Sequence, residues 1–229
     1  MKAVLFDFSG TLFRIEPVAT WLRATVDETG IGLGQQELAL RAAELAAAGA
    51  QPGGPEPQRV PPSLAGLWAS RDESAVQHRA AFTGLARQVA LPDPALYDAL
   101  YTRHMTPGAW HPYPDAAEVL STLHARGIAV GVVSNIGWDL RPVFRGHGVD
   151  PYVDHYTLSY EHGIQKPDVR LFRAACEALG QDPGETLMVG DSRDADGGAR
   201  NLGCAVHFVD HLPAAERPDA LRPVLELAG

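Results

Sequence analysis

The chain has 229 residues, of which 45% are apolar, and a formal net charge of −9. This length allows one large or two small domains with a well-buried core. The negative charge argues against nucleic acid and anionic membrane surfaces as partners, because both are polyanions. An anionic small substrate would need a local positive charge, from a metal ion or from a few Lys and Arg side chains.

The N-terminus and the cysteines indicate a cytoplasmic protein. Only a short apolar run precedes Asp7, too short for the apolar region of a signal peptide, and no window reaches the roughly 18 uninterrupted apolar residues of a membrane span. Cys176 and Cys204 lie far apart, without a Cys-x-x-Cys or Cys/His cluster. We therefore expect no membrane span and two reduced, buried thiols.

Short apolar runs alternate with helical patterns over most of the chain. Strands are predicted at 2–7, 127–134, 155–159, 185–191 and 204–210, of which 155–159 has the weakest pattern. Helices are predicted at 114–127, 167–180 and 194–203. Pro opens two of these helices and Gly closes all three, as is usual for helix ends. The alternation predicts an α/β fold with a doubly wound, Rossmann-like parallel sheet.

Residues 15–108 interrupt this alternation. Ala and Leu recur there at helical spacing, as in 35–49 and 74–91, and no convincing strand occurs. The segment 49–62 is dense in Pro and Gly and is predicted to be an irregular loop. We therefore expect a helical insertion after the first strand. The predicted domains are an α/β core, 1–14 and 109–229, and the helical insertion, 15–108.

Polar side chains follow the predicted strands at their carboxyl ends. Asp7 closes the first strand, and Ser134 and Asn135 follow the second. Asp191 follows another strand, and Lys166 lies in the loop after the weakest one. In an open parallel sheet these ends share one edge, where ligands bind. Two carboxylates brought together there repel each other unless a hard divalent cation lies between them, which predicts a Mg²⁺ site.

The same residues carry the groups needed for phosphoryl transfer. A bound metal ion attracts a phosphate, and Lys166 would offset the charge of the nucleophile and of the phosphoryl oxygens. The Ser134 hydroxyl and backbone N–H groups near Gly10 and Thr11 would donate to those oxygens. Asp7 would attack phosphorus and form an aspartyl-phosphate. The sequence therefore predicts a small phosphorylated substrate.

Four short segments, in this order, resemble the motifs of the haloacid dehalogenase-like (HAD) hydrolase superfamily. They are DFSGTL (7–12), VVSN (132–135), QKPD (165–168) and VGDSRDAD (189–196). The resemblance covers about 1–14 and 109–215, and the helical insertion is similar to the C1 cap of the family, which closes over the active site and selects the substrate.

This resemblance implies a role for each site residue. Asp7 would be the nucleophile, Asp191 a metal ligand, and Asp196 a support for the metal shell. Lys166 would orient the nucleophile and Ser134 would bind phosphate. The candidate catalytic residues are Asp7, Ser9 and Lys166. The candidate phosphate-binding residues are Gly10, Thr11, Ser134, Asn135 and Lys166, and the candidate metal-binding residues are Asp7, Ser9, Asp191 and Asp196.

Ser9 departs from the family pattern. In most phosphatases of the family, the residue two positions after the nucleophile is a second Asp, which protonates the leaving alcohol and then deprotonates the attacking water. Ser9 is no acid near neutral pH, although its backbone carbonyl can still coordinate a metal ion. General acid–base assistance is worth about 10² to 10⁴ in rate. We therefore expect slow turnover, unless His111 or a residue of the insertion replaces the missing acid.

Three branches of the family lack this Asp. The P-type ATPases carry Thr there but are large membrane pumps. Phosphonatases carry Ala and use a Lys of the cap, whereas residues 15–108 contain no Lys. The 2-haloacid dehalogenases carry Tyr, attack carbon without a metal, and have a fourth motif similar to Ser-Ser-Asn. Asp191 and Asp196 favour the metal-dependent branch that handles phosphoryl groups.

These observations leave two main hypotheses. The favoured one is a Mg²⁺-dependent phosphatase acting on a small phosphorylated metabolite through Asp7. The alternative, motivated by Ser9, is a catalytically weak or idle relative that binds a phosphorylated ligand or a protein partner. A 2-haloacid dehalogenase is less favoured than either.

Several other residues near the predicted crevice have less specific patterns. Trp110 and Trp138 flank it, and a hinge or packing role is favoured for both because aromatic side chains mostly supply buried area. Arg71, His78 and Arg79 lie in the insertion, where charged side chains usually belong to a solvated helix face.

Overall fold

A parallel sheet of five strands forms the centre of the protein, as predicted, in a computed structural model that describes all 229 residues. In chain order the strands are β1 (Ala3–Phe6), β2 (Phe13–Ile15), β3 (Trp110–Pro112), β4 (Ala129–Ser134), β5 (His155–Leu158), β6 (Thr186–Gly190) and β7 (Ala205–Phe208). The parallel sheet has the order β5-β4-β1-β6-β7, while β2 and β3 pair separately. All five predicted strands are therefore present, each slightly shorter than expected.

Helices account for most of the remaining regular structure. The α-helices are α1 (Val18–Thr29), α2 (Gln35–Ala48), α3 (Ala65–Ala69), α4 (Ala75–Ala86), α5 (Ala95–His104), α6 (Ala116–Ala125), α7 (Arg141–Gly146), α8 (Ser159–His162), α9 (Val169–Leu179) and α10 (Val224–Leu227). Short 3₁₀ turns include Arg71–Glu73 and Asp196–Leu202. No helix has the length and apolar character needed to cross a membrane.

Strand β1 lies at the centre of the sheet and is covered on both faces. All four of its residues are fully buried, which explains its continuous apolar sequence. Leu5 lies opposite Gly131 of β4 on one side and opposite Met188 of β6 on the other. The chain extends from β1 toward β5 and then returns to the opposite side of β1 at β6. This reversal creates the crevice in which parallel sheets bind ligands.

The helical insertion has its own hydrophobic cluster. Thirteen buried residues from α1, α2, α4, α5 and the adjoining loops pack together there, among them Trp21, Leu22 and Leu45. The Trp21 indole N–H donates to the Leu100 carbonyl at 3.1 Å and thereby joins α1 to α5. Two further clusters, of 30 and 9 buried residues, cover the parallel sheet. The helices predicted within 35–49 and 74–91 correspond to α2 and α4.

Two elements differ from the sequence predictions. The helix predicted at 194–203 is instead the 3₁₀ turn Asp196–Leu202. Gly197 and Gly198 favour this outcome because glycine is a poor helix former, and a Cβ at Gly198 would lie 2.6 Å from the Pro167 carbonyl. The antiparallel pair β2–β3 was not predicted, because three residues per strand are too few to show a period.

The two cysteines match their prediction. Cys176 and Cys204 are both buried, and neither forms a disulfide.

Truncation of Leu45 tests whether the cluster of the insertion contributes to stability. Leu45 is fully buried in α2, so we expect Leu45→Ala to lower the free energy of unfolding by about 2–5 kcal/mol in urea titrations. Leu40 lies in the same helix and is 53% exposed, so Leu40→Ala serves as the control and should change that free energy by less than about 0.5 kcal/mol. Equal effects of the two substitutions would contradict the observed packing.

Candidate active site

A lysine ammonium between two buried carboxylates forms the centre of the site. Lys166 Nζ donates to Asp7 Oδ1 at 2.7 Å and to Asp196 Oδ1 at 2.6 Å. Asp7 directly follows β1, Asp196 opens the turn after β6, and Lys166 precedes α9. Each of the three residues is at most 8% exposed. The structure therefore brings Asp196 together with Asp7 and Lys166, two of the residues predicted to lie at one edge of the sheet.

Asn135 holds the backbone of Lys166 in place. Its side-chain oxygen accepts the Lys166 backbone N–H at 2.6 Å, and its amide nitrogen donates to the Lys166 carbonyl at 3.0 Å. Both ends of the Asn135 amide are thus used within the chain, although the residue also lines the cavity described below. The arrangement connects the end of β4 to the loop that carries the ammonium.

Burial and charge together determine the protonation of the site. Burial raises the pKa of Asp7 to about 7, with Lys166 opposing the shift and Asp196 and Asp191 adding to it. Burial disfavours the charged form of Lys166, but the carboxylates of Asp196 and Asp7 outweigh it and raise the pKa of Lys166 above its ordinary value. Lys166 is therefore protonated at neutral pH and lies beside more than one carboxyl group.

The carboxylates fit a hard divalent cation. One oxygen each of Asp7, Asp191 and Asp196 lies within 4.8 Å of the others. Both oxygens of Asp196 already accept hydrogen bonds, from Lys166 Nζ and from the Ser192 N–H at 2.9 Å. By contrast, Asp7 Oδ2 and Asp191 Oδ1 accept none within the chain. The all-oxygen donor set is the one that Mg²⁺ prefers, with Asp191 Oδ1 free to bind the ion directly and the Asp7 carboxylate beside it.

The turn after Asp7 offers backbone donors. The Gly10 N–H donates to the Phe13 carbonyl at 2.7 Å and is therefore not available to a ligand, whereas the N–H groups of Phe8, Ser9 and Thr11 make no hydrogen bond within the chain. Gly10 has a φ of 84°, which only glycine adopts easily. Among the predicted phosphate-binding residues, neither Gly10 nor Thr11 lines the cavity.

A cavity of about 560 Å³ opens above the carboxylates, between the α/β core and the helical insertion. Its core wall includes Asp7, Ser9, Ser134, Asn135, Lys166, Asp191 and Asp196. Its opposite wall includes the segment 51–56 and the side chains of Trp68, Arg71, Asp72, His78 and Phe82. The Ser134 hydroxyl makes no hydrogen bond within the chain. The loop predicted at 49–62 therefore forms part of the cavity wall.

The residues with less specific patterns lie partly inside and partly outside the cavity. Trp110 and Trp138 line the cavity but are also buried in the hydrophobic core. Arg71 and His78 line the cavity, whereas Arg79 forms an ion pair with Asp98 at 2.7 Å on the surface.

Four ionisable residues of the site were not predicted from the sequence. They are Arg14, Asp72, His211 and Arg217. Arg217 is 3% exposed and donates from Nη1 to the Gly10 carbonyl at 2.6 Å and from Nη2 to the Thr11 carbonyl. Its guanidinium also stacks on the Tyr113 ring, 3.1 Å from the centroid. No local pattern could have revealed a contact between residues that are 207 positions apart.

His211 and Arg14 also reach the cavity. His211 Nδ1 lies 2.5 Å from Asp191 Oδ2. The Arg14 guanidinium makes no hydrogen bond and no ion pair within the chain, and its Nη1 is a buried atom without a partner. Arg71, the other arginine of the cavity, stacks on Trp68 and donates to the Trp68 carbonyl at 2.9 Å. Arg14 is therefore the cavity arginine that remains available to a ligand.

Replacement of Lys166 tests the buried ion cluster. Lys166→Met would leave two buried carboxylates without their counter-charge, so we expect the free energy of unfolding to fall by about 3–5 kcal/mol in urea at neutral pH. The chain has only one other lysine, Lys2, whose exposed ammonium pairs with Glu185. The control Lys2→Met should change stability little. A stable Lys166→Met protein would show that the carboxylates do not depend on the ammonium.

Comparisons with known proteins place the chain in a family. A family model described as haloacid dehalogenase-like hydrolase matches residues 1–203. A phosphoserine phosphatase from Thermus thermophilus is 32% identical over 96% of this chain and 93% of its own length. The structure of a HAD phosphatase from Thermococcus onnurineus aligns with a TM-score of 0.59, at 25% identity, over 92% of this chain and 86% of that chain.

The L-2-haloacid dehalogenase of Xanthobacter autotrophicus shares the fold, with a TM-score of 0.66 at 21% identity over 97% of this chain and 83% of that chain. The match of the family model over most of the sequence, together with the Thermus relative, confirms the resemblance found in the four motifs. The chain belongs to the haloacid dehalogenase-like hydrolase family.

Proposed function

We propose that the protein is a Mg²⁺-dependent phosphatase that hydrolyses a small phosphorylated metabolite through a phosphorylated Asp7. The observation that carries the proposal is the cluster of Asp7, Lys166 and Asp196, with Asp191 beside it, at the base of the cavity. The Thermus relative, which is named a phosphoserine phosphatase, supports a phosphate monoester as the substrate. The carboxylates of the fourth motif favour phosphoryl chemistry over attack at carbon.

Asp7 is positioned to act as the nucleophile. Lys166 holds Asp7 Oδ1, which leaves Oδ2 without a hydrogen bond in a residue that lines the cavity. Oδ2 would attack phosphorus, and the bond from phosphorus to the leaving oxygen would break with its electron pair passing to that oxygen. When bound, Mg²⁺ would supply Lewis-acid stabilisation of the phosphoryl oxygens. Water would then cleave the aspartyl-phosphate and release inorganic phosphate.

The phosphoryl group would be bound by groups that are not already used within the chain. The Ser134 hydroxyl lines the cavity, and the Phe8 and Ser9 N–H groups lie free in the turn after Asp7. Donors placed in advance around the developing charge are usually the largest source of catalytic stabilisation. Asn135 and Arg217 would contribute indirectly, because they fix Lys166 and the turn at Gly10.

The insertion, residues 15–108, would serve as a cap that selects the substrate. It supplies the cavity wall opposite Asp7, and a volume of about 560 Å³ suits a small metabolite. Strands β2 and β3 lie where the chain enters and leaves the insertion, which makes this pair the natural place for the cap to hinge. The Gly53 backbone lies so close to Ser9 that a Cβ on Gly53 would be 2.8 Å from Ser9 Oγ.

Hydrolysis of an activated aryl phosphate tests the proposal. We expect turnover only with Mg²⁺, and none in Asp7→Asn, because that variant lacks the attacking carboxylate. Wild-type activity that survives in Asp7→Asn would contradict a phosphorylated Asp7. Mg²⁺ and phosphate binding without turnover in any variant would instead favour the idle binder, and chloride release from 2-chloropropionate would favour the dehalogenase.

Replacement of Arg14 tests the charge of the cavity. Its unpartnered guanidinium would bind an anionic group of the substrate, and a hydrogen bond to a charged group is worth about 1.5–3 kcal/mol. We therefore expect Arg14→Gln to raise KM for an aryl phosphate about tenfold or more while kcat changes less. Arg79→Gln provides a control at an arginine outside the cavity, and equal effects of both variants would show that Arg14 contributes only overall charge.

A further inference from the structure

The proposed phosphatase still lacks a source of protons. When the bond between phosphorus and the leaving oxygen breaks, that oxygen receives an electron pair and needs a proton unless it belongs to a good leaving group. Ser9 cannot donate one near neutral pH. His111, considered above as a substitute, is exposed on β3 and does not line the cavity. The acid must therefore come from another residue of the cavity wall.

Asp72 is a carboxyl group of the insertion that lines the same cavity as Asp7. It is 5% exposed and lies in the 3₁₀ turn between α3 and α4. Its side-chain oxygens accept no hydrogen bond within the chain, since Arg71 Nε is 3.5 Å from Oδ2 and His78 Nε2 is 3.7 Å from Oδ1. A buried carboxyl group without a hydrogen bond is costly to retain, so its presence calls for an explanation.

The backbone of Asp72 is fixed to the core. The Ser159 hydroxyl donates to the Asp72 carbonyl at 2.6 Å and accepts the Ile136 N–H at 2.8 Å. The Asp72 N–H donates to Gln165 Oε1 at 3.4 Å, and Gln165 Nε2 donates to the Ala69 carbonyl at 2.7 Å. Ile136 is two residues after Ser134, and Gln165 immediately precedes Lys166. These contacts fix Asp72 relative to both catalytic loops.

The surroundings of Asp72 favour its protonated form compared with an ordinary aspartate. Burial raises the pKa of Asp72, Arg71 and Lys166 oppose the shift, and Glu56 adds to it. Burial, with a smaller contribution from Arg71, lowers the pKa of His78 to about 3. The His78 imidazole is therefore neutral, with Nδ1 2.7 Å from the Tyr101 hydroxyl, and provides no counter-charge for an Asp72 carboxylate.

We propose that Asp72 is the general acid and base that Ser9 does not supply. This inference rests on the phosphatase function proposed above. The protonated Asp72 carboxyl gives its proton to the leaving oxygen as the bond from that oxygen to phosphorus breaks and the bond from Asp7 forms. The resulting carboxylate then takes a proton from the water that attacks phosphorus. The bond between phosphorus and Asp7 breaks, phosphate leaves, and Asp72 is again protonated.

The other ionisable groups near Asp72 suit this role less well. His78 is neutral and already engaged with Tyr101, and Glu56 is exposed. Placing the acid in the insertion also has a functional consequence, because acid–base assistance then depends on the insertion being closed over the core.

Single-turnover kinetics of Asp72→Asn with two phosphate esters test the proposal. An alkyl phosphate needs a proton on its leaving oxygen, so we expect its rate constant for Asp7 phosphorylation to fall by about 10²- to 10⁴-fold. An activated aryl phosphate needs no such proton, so its rate constant should change less than about threefold. Glu73→Gln is the matched control, because it removes a carboxyl of the same 3₁₀ turn that does not line the cavity. Equal losses with both esters, or no loss with either, would overturn the proposal.

A second variant separates acid catalysis from structural damage. Adding Ser9→Asp to Asp72→Asn should restore alkyl phosphate hydrolysis, since a carboxyl group again lies near the leaving oxygen. Wild-type phosphorylation by the alkyl ester should slow as the pH rises through the pKa of Asp72, and Asp72→Asn should lose this dependence. Two results together would show that Asp72 is not the acid. The double variant would be as slow as Asp72→Asn, and Asp72→Asn would keep the pH dependence of the wild-type protein.

These outcomes are distinct from a failure of the proposed function. If wild-type protein hydrolyses neither ester, or Asp7→Asn keeps the aryl activity, the aspartyl-phosphate route is wrong whatever Asp72 does. If aryl phosphate hydrolysis depends on Asp7 while the alkyl ester is unaffected by Asp72→Asn, the route stands and only the role of Asp72 is wrong.

Discussion

The site depends on the hydrogen bonds that the Lys166 ammonium donates to two buried carboxylates. This ammonium is the only side-chain cation hydrogen-bonded to Asp7 and Asp196, and all three groups are buried. Removing an ion from a buried pair leaves an uncompensated charge, which is far more costly than losing a surface ion pair. The cluster forms only when β1, the loop before α9 and the turn after β6 are in place together. The site is therefore complete only when these parts of the folded sheet are in place.

Around this cluster, the chain divides its tasks between two regions. The α/β core supplies the carboxylates, the Ser134 hydroxyl and the backbone donors, while the insertion supplies the opposite wall of the cavity with Asp72. Contacts through Ser159 and Gln165 link the two regions close to the carboxylates. A substrate that fills the cavity would strengthen the closed arrangement, and this couples its size and charge to catalysis. Loss of an acid at Ser9 is then compatible with an active enzyme.

The sequence predicted the sheet because strands buried on both faces have continuous apolar runs, and their carboxyl ends share one edge. The same argument predicted that Asp7, Lys166 and Asp191 would lie together, as the structure places them. Sequence reasoning failed where a local pattern was overridden, as at the 3₁₀ turn Asp196–Leu202, or where a contact joined distant residues. Asp72 and Arg217 belong to the second class, because in a sequence a buried charged residue resembles a surface one until its neighbours are known.

The measurement that tests the central claim most directly is peptide mass spectrometry of protein quenched in acid during turnover of an aryl phosphate with Mg²⁺. The account predicts one phosphoryl group on the peptide that contains Asp7 and none in Asp7→Asn. Because the proposed base would be absent, Asp72→Asn should accumulate more of the phosphorylated form than wild-type protein. Steady hydrolysis without any phosphoryl group on Asp7, under conditions that preserve acyl phosphates, would contradict the account.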